Sequence, residues 1–148
     1  MSIFSSFDIN ASGMTAQRYR MDIISENVAN STTTRTADGT PYRRKVVTFE
    51  QRNGQAASFS NVFSRASDAF RGKGVRVSKV SEDTWTNMVM AYDPSHPDAD
   101  ENGYVTYPNV NIVTEMTNLI DASRSFEANA TAFNASKSIA MKGLEMGQ

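Results

Sequence analysis

The chain of 148 residues contains no cysteine and a single histidine. Without cysteine it can form no disulfide, no thiolate nucleophile and no sulfur-ligated zinc or iron site. One histidine cannot supply a set of imidazole ligands. A Ser-His-Asp arrangement would depend on His96, which stands between Ser95 and Pro97 in a predicted loop. The sequence therefore argues against an enzyme and predicts no catalytic residue, no metal ligand and no cofactor.

Long apolar runs are missing as well. Hydrophobic residues make up 39% of the chain, below the roughly 45–50% of an average soluble domain, so only a small private core is expected. No stretch approaches the roughly eighteen apolar residues of a membrane-spanning helix. The start, Met1 to Asp8, has neither the basic nor the apolar segment of a cleavable secretory signal. Taken alone, these local rules predict a cytoplasmic protein without a cleaved signal peptide.

The net charge of −1 conceals two segments of opposite sign. Residues 31–80 carry ten basic and three acidic side chains, a net charge of +7, whereas residues 81–127 carry nine acidic and one basic, a net charge of −8. Such segregation predicts either two halves of one domain that face each other or surfaces that meet between neighbouring subunits. A nucleic-acid partner is not expected, because the basic run 43–45 continues into a strand pattern and no nucleic-acid motif accompanies it.

Both ends of the chain are predicted to be long helices. Ser5 followed by Asp8 resembles a capping box at the start of the first, and Asn111 is the expected N-cap of the second. Each helix carries one narrow apolar stripe. The two stripes together predict a subunit-packing seam, with a two-helix hairpin inside one chain as the alternative. The seam residues are Phe7, Met14, Met21, Val28, Met116, Leu119, Phe126, Phe133 and Leu144.

Between the helices the hydrophobic period changes to two, which indicates β-strands. Strands are predicted at residues 42–51, 74–80, 85–92 and 104–107, with a long loop or short irregular elements over residues 54–71. The predicted fold class is α+β, with long N- and C-terminal helices that pack coaxially in a coiled-coil-like manner and a small β-rich insertion between them. The predicted domains are an N-terminal axial helix (1–31), the insertion (32–110) and a C-terminal axial helix (111–148).

One acidic segment matches the first half of a calcium-binding EF-hand loop. Its carboxylates, Asp98 and Asp100, stand at alternate positions before Gly103. The second half fails, because Asn109 occupies the position that requires a bidentate Glu. An acidic turn braced by its own side chains is the favoured interpretation, with a small calcium-binding module as the alternative.

Three segments resemble a known family. Residues 22–33 look like the N-terminal signature of bacterial flagellar rod and hook proteins, and residues 115–129 are similar to their C-terminal helix. Residues 92–111 resemble one member of this axial family, a proximal rod protein. The sequence departs from the family at residues 52–71 and 84–87. The matching motif residues are Asn27, Asn30, Thr33, Asp93, Pro94, His96, Pro97, Asn102, Gly103, Pro108, Asn111, Arg124 and Asn129.

The resemblance implies a structural subunit of the flagellar basal body that assembles helically into the torque-transmitting proximal rod. Implied partners are copies of the chain itself, other proximal and distal rod proteins, the adaptor to the MS ring and the flagellar type III export apparatus. The family is exported unfolded without a cleaved signal and lies in the rod that spans the periplasm, which overrides the cytoplasmic expectation. No nucleic acid, small-molecule substrate or cofactor is implied. Another rod or hook protein of the same family is the main alternative.

Overall fold

A computed structural model describes residues 3–52 and 74–146. The elements are α1 (Ile3–Ala29), β1 (Lys45–Gln51), β2 (Val75–Glu82), β3 (Val89–Tyr92), β4 (Tyr104–Tyr107) and α2 (Ile112–Glu145). A helix at each end and two small sheets between them confirm the α+β class. The loop predicted over residues 54–71 lies outside the described residues.

Asn111 caps the second helix, as the sequence predicts. Its side-chain Oδ1 accepts a hydrogen bond of 3.2 Å from the backbone N–H of Thr114, which would otherwise have no partner in the first turn. The start signal predicted for the first helix is wrong. Because α1 begins at Ile3, Ser5 lies inside its first turn rather than at its cap. Neither helix contains an apolar stretch long enough to cross a bilayer.

We expect Asn111→Ala to lower the free energy of unfolding by about 1 kcal/mol, because the substitution leaves the Thr114 N–H without its acceptor. Urea unfolding followed by circular dichroism at 222 nm measures the loss. Asn134→Ala, at an exposed position inside the same helix, serves as the matched control and should cost nothing. Equal losses in the two variants would contradict the capping role.

Both sheets are two-stranded and antiparallel. Backbone hydrogen bonds from Arg52 to Gly74 and from Asp83 to Arg44 close the two ends of the β1–β2 pair. Strand β3 pairs with β4, with Val89 opposite Tyr107 and Tyr92 opposite Tyr104. The fourth strand has its predicted bounds.

The starts predicted for the first and third strands lie three and four residues too early, and hydrogen bonds outside the ladders explain both. The first strand begins at Lys45 rather than Tyr42, because the Tyr42 N–H donates to the Thr33 carbonyl. The third begins at Val89 rather than Trp85, because the N–H groups of Trp85 and Thr86 both donate to the Asp83 carboxylate and form a bend. Polar side chains and turns therefore override the alternating pattern at these positions.

The chain groups into two compact units, each of which draws on both helices. Among the described residues, unit 1 comprises 3–18, 48–52, 74–78 and 123–146, and unit 2 comprises 19–47 and 79–122. Inside unit 1 the rings of Phe7 and Phe133 lie 4.9 Å apart between centroids. Inside unit 2 the buried hydrophobic side chains include Ile24, Val105 and Ala122. Each unit therefore has a small core, as the low apolar content predicts.

Candidate functional site

A cluster of polar side chains joins α1, the start of β1 and the start of α2 inside unit 2. We call Asn27, Tyr42, Arg44, Asn109 and Glu115 the polar cluster. Three of its members are almost completely enclosed: the exposed fraction is 0% for Asn27, 1% for Glu115 and 6% for Asn109. Polar groups are rarely buried to this degree unless they are fully hydrogen-bonded, so the arrangement requires a partner for each group.

Asn27 is the centre of the polar cluster. Its amide Nδ2 donates to the Lys45 carbonyl at 2.9 Å and to Glu115 Oε2 at 3.0 Å. Its Oδ1 accepts from the Lys45 N–H and from the Tyr42 hydroxyl, both at 2.9 Å. A side-chain amide has two donors and two acceptor sites, and all four are used. Asn27 therefore fixes the beginning of β1 against the last turns of α1.

Glu115 supplies the negative charge of the cluster and Arg44 the positive one. Arg44 Nε and Nη2 each donate to Glu115 Oε1 at 2.9 Å, and Arg44 Nη1 lies 3.5 Å from Asp83 Oδ2. Burying these charges would be unfavourable if either lost its partner, because desolvation is offset only by close pairing and hydrogen bonds. The pair therefore ties α2 to the residue that precedes β1.

Asn109 completes the cluster on the side of the β-insertion. Its Oδ1 accepts from the Arg44 N–H at 2.9 Å, and its Nδ2 donates to the carbonyls of Asp83 and Thr86. The same bend is stabilised by Asp83, whose pKa is lowered chiefly by the hydrogen bond from the Thr86 hydroxyl. Asn109 thus connects the bend before β3 to the segment that leads into α2.

Tyr42 lies partly inside the negative field of the cluster. Burial, followed by the negative charges of Glu26, Glu115 and Glu82, raises the pKa of Tyr42 from 10.0 to about 12. The neutral phenol donates to Asn27 and would lose that hydrogen bond on ionisation.

The shifted pKa of Tyr42 predicts a loss of stability in alkali. The unfolded chain releases this proton near pH 10, whereas the folded chain retains it until about pH 12. Stability from Tyr42 is therefore fully present below pH 10 and falls as the pH rises through 12. Unfolding curves at pH 9, 10 and 11 measure the slope, and Tyr42→Phe should flatten it. An equally steep slope in that variant would assign the effect to other groups.

In unit 1 the helices approach each other through small residues. Ser12, Gly13 and Ala16 are buried on α1. A Cβ added to Gly13 would lie 2.6 Å from Asn129 Oδ1, which shows how closely α2 passes at this point. Asn129, a motif residue, also donates to the Ser125 carbonyl at 2.7 Å. Ser12 Oγ donates to the Ile9 carbonyl and accepts from the Val75 N–H, so it joins α1 to the start of β2.

The acidic turn between β3 and β4 is braced by its own carboxylates. Asp93 Oδ1 accepts from the N–H and hydroxyl of Ser95. Asp98 accepts from the Thr34 hydroxyl and pairs with Arg35, whereas Asp100 accepts from the N–H groups of Asn102 and Tyr104. Across residues 3–52 and 74–146, no group of three or more acidic or histidine side chains could hold a metal ion. The calcium-binding alternative therefore gains no support.

The remaining motif residues serve the turns and helix ends. Asn30 donates to the Glu26 carbonyl and accepts from Thr33, which closes the end of α1. His96 Nδ1 accepts from the Asp98 N–H, and its ring lies edge-on to Tyr107. Gly103 has a φ of 80°, which favours glycine in the turn before β4. Pro94, Pro97 and Asn102 are exposed parts of the turn, Pro108 is buried before α2, and Arg124 is exposed on it.

The structure places the nine predicted seam residues in two classes. Met116 and Leu144 are exposed, at 55% and 75%. The other seven are half-buried, and Phe7 and Phe133 contact each other inside the chain. Helix α2 also exposes Val113 and Ile120, which lie on one helical face with Met116 at the i, i+3 and i+7 spacing, and the neighbouring Ile112. Near Leu144 it exposes Ile139 and Met141. These apolar side chains remain available for contacts with other chains.

The oppositely charged segments meet partly inside unit 2. Arg44 pairs with Asp83 and Glu115, and Arg35 pairs with Asp98. In each pair the basic residue belongs to the +7 segment and the acidic one to the −8 segment. These contacts support the interpretation that the two segments face each other within one domain.

Sequence reasoning missed the partners that make Asn27 important. From the sequence, Asn27 stands out only as a residue of the family motif, and Glu115 only as one acidic residue of the segment with net charge −8. Their side chains are separated by 88 positions along the chain, and no local periodicity predicts such a pairing. A signal from correlated changes between related sequences could have found it.

Comparison with known proteins finds similarity at both ends of the chain and over its full length. Residues 7–35 match the family model described as Flagella basal body rod protein, and residues 101–146 match Flagellar basal body rod FlgEFG protein C-terminal. The chain is 43% identical to the Flagellar basal-body rod protein FlgC of Bacillus subtilis (strain 168), over the whole of both sequences. It is also 43% identical to the Borreliella burgdorferi FlgC, covering 100% of this chain and 99% of the relative. Identity to the Aquifex aeolicus FlgC is 40%, over 94% of this chain and 92% of that protein.

Proposed function

The chain belongs to the FlgC family of flagellar basal-body rod proteins, and from that premise we propose that it forms part of the proximal rod and transmits motor torque. As a member of this family it is a structural subunit of the rod. The observation that carries the proposal is the 43% identity to the Bacillus subtilis FlgC over the full length of both sequences. We further propose that the chain catalyses no reaction, in agreement with its lack of cysteine and its single histidine.

The proposed partners are further copies of this chain, the neighbouring rod proteins, the MS-ring adaptor and the type III export apparatus. In this proposal the chain leaves the cell unfolded, without a cleaved signal, and joins a rod that spans the periplasm. The exposed apolar side chains of α2 support assembly, because such a face gains stability only when another surface covers it. The proposal also keeps the predicted domains, which are an N-terminal axial helix (1–31), a β-rich insertion (32–110) and a C-terminal axial helix (111–148).

A complementation experiment tests the function directly. The gene for this chain is expressed in a bacterial strain from which the corresponding rod-protein gene has been deleted. Basal bodies are then purified and analysed by mass spectrometry and electron microscopy. We expect restored motility, complete rods and the chain among their components. Basal bodies that contain complete rods without this chain would contradict the proposal.

We propose that the seam residues pack against neighbouring subunits. Met116→Asp and Leu144→Asp should each reduce the amount of chain in purified basal bodies by more than about tenfold, because burial of a carboxylate in an apolar interface is strongly unfavourable. Both side chains are exposed within the chain, so the substitutions leave its own core intact. Phe133→Asp would be less informative, since Phe133 also packs on Phe7.

Ser138→Asp, at an exposed position of the same helix, is the matched control. It introduces the same charge and should leave incorporation within about twofold of the unsubstituted chain. Normal incorporation of the Met116 and Leu144 variants, measured by quantitative blotting of basal bodies, would rule out these two positions as parts of the seam.

A further inference from the structure

The turn between β3 and β4 contains an asparagine followed directly by a glycine. Asn102 is exposed, and its side-chain amide forms no hydrogen bond with residues 3–52 or 74–146. Gly103 has no side chain that could shield the peptide nitrogen between the two residues. An asparagine in this position can react with its own backbone, because its side-chain carbonyl carbon and the next peptide nitrogen close a succinimide ring.

The reaction exchanges bonds within the chain and is followed by hydrolysis. The Gly103 nitrogen attacks the Asn102 Cγ, so that an N–Cγ bond forms, the Cγ–Nδ2 bond breaks, and the side-chain nitrogen leaves as ammonia with the proton that Gly103 gives up. Water then opens the succinimide. Attack at Cγ gives aspartate, and attack at the backbone carbonyl carbon gives isoaspartate, in which the main chain runs through the former side chain. Water is the only co-reactant.

In the folded chain the attacking nitrogen is engaged in the hydrogen bonds of the turn. The Gly103 N–H donates to the Asp100 carbonyl at 3.0 Å. The side-chain Oδ1 of Asp100 accepts from the N–H groups of Asn102 and Tyr104, at 2.9 and 2.8 Å. The peptide that must rotate is therefore bonded at its own nitrogen and at the N–H groups on both sides of it. Cyclisation requires at least the Gly103 hydrogen bond to break.

Packing around Gly103 restrains the same peptide. The Gly103 carbonyl accepts from the Asp93 N–H at 2.9 Å. A Cβ added to Gly103 would lie 2.9 Å from the Tyr92 ring and 3.2 Å from the Pro94 Cβ, so little space is left beside this residue. The Tyr92 ring is itself held against the Tyr104 ring, with centroids 5.3 Å apart. Rotation of the peptide therefore requires this end of the hairpin to open.

We propose that Asn102 is a deamidation site that the folded turn suppresses, so that the reaction proceeds only in chains whose β3–β4 turn has opened. Asp100 is the positioning residue, because one of its oxygens bonds the backbone on both sides of the reactive peptide. When opening and closing are fast, the rate follows the population of the open turn. Isoaspartate adds a methylene group to the main chain and displaces the N–H groups that Asp100 binds, so a chain modified in this way loses the native turn.

Peptide mapping of the full-length chain by mass spectrometry tests the proposal. The chain is incubated at one mildly alkaline pH and one temperature, either folded or unfolded in guanidinium chloride. Conversion at residue 102 is followed from the mass difference between an amide and a carboxylate. We expect conversion in the folded chain to be more than about tenfold slower. Equal rates would overturn the protection by the turn, and no conversion in the unfolded chain would overturn Asn102 as a modification site.

Substitutions in the turn test the role of Asp100. Asp100→Ala should increase the rate in the folded chain by about fivefold, because the N–H groups of Asn102 and Tyr104 lose their acceptor. Asp100→Asn keeps a side-chain oxygen that can accept both bonds, and should stay within about twofold of the unsubstituted chain. Glu101→Ala removes the same charge from an exposed position of the same turn and is the matched control. Equal rates for Asp100→Ala and Glu101→Ala would overturn the positioning role.

Hydrogen exchange at the Gly103 amide separates opening of the turn from unfolding of the whole chain. In the unsubstituted chain, exchange at Gly103 and deamidation at Asn102 should rise by the same factor as guanidinium chloride is added below the unfolding midpoint. Asp100→Ala should raise both rates while exchange within α2 stays unchanged. Faster deamidation without faster exchange at Gly103 would overturn the link between opening of the turn and the reaction.

Discussion

Glu115→Ala is expected to lower the free energy of unfolding by about 3–5 kcal/mol, the range observed when one partner of a buried ion pair is removed. Arg44 would retain its charge beside an uncompensated cavity, with only the longer contact to Asp83 at 3.5 Å. Asn27 would lose the acceptor of one of its two amide hydrogen bonds. Both effects act at side chains that join α1, β1 and α2 within unit 2, so the loss should be among the largest of any single substitution.

Chemical unfolding of the purified chain measures this effect. Glu127→Ala removes a carboxylate from an exposed position of the same helix and should change stability by less than about 0.5 kcal/mol. Arg44→Met combined with Glu115→Leu should recover part of the loss, because an apolar pair leaves no buried charge without a partner. Similar destabilisation by Glu115→Ala and Glu127→Ala would contradict the importance of the buried pair.

Gly74→Ala should destabilise the chain by about 3 kcal/mol, through backbone strain and a steric clash together. Gly74 has a φ of 91°, and a Cβ at this position would lie 2.2 Å from Ser12 Oγ. Ser12 cannot turn away without loss, since its hydroxyl bonds both the Ile9 carbonyl and the Val75 N–H.

Gly39 provides a control that separates the two causes. It has a φ of 77°, but an added Cβ would meet no atom within 4 Å. Gly39→Ala should therefore cost only the strain, about 1 kcal/mol. Adding Ser12→Ala to Gly74→Ala should relieve part of the clash, so the double variant should lose less than the sum of the single losses. Equal losses for Gly39→Ala and Gly74→Ala would show that the contact with Ser12 is unimportant.

The parts of the fold that local chemistry determines could be predicted from the sequence. Asn111 marks the start of α2 because its short side chain satisfies an N–H that the helix leaves unpaired. Residues 104–107 form β4 because their alternating pattern is bounded by a glycine turn and a proline. The α+β class follows from the change of hydrophobic period between the helical ends and the middle of the chain.

The polar cluster could not be predicted because its interactions are long-range and its members have ordinary surface chemistry. A glutamate in the first turns of a helix is usually a solvated residue that complements the helix dipole, yet Glu115 is buried against Arg44 and Asn27. The close approach at Gly13 was missed for a different reason. Small residues carry no hydrophobic signal, so the apolar stripe of α1 did not reveal the buried positions Ser12, Gly13 and Ala16. The role of the seam in assembly remains a prediction.

The separation of Asn27 and Glu115 along the chain has a consequence for the timing of folding on the ribosome. The two residues are 88 positions apart, which corresponds to about 4–18 s of synthesis at roughly 5–20 residues per second. During this interval the nascent chain holds Asn27, Tyr42 and Arg44 but not the carboxylate that would permit their burial. Unit 2 therefore cannot complete its polar cluster until most of the chain has been made, a delay that would favour the unfolded export proposed above.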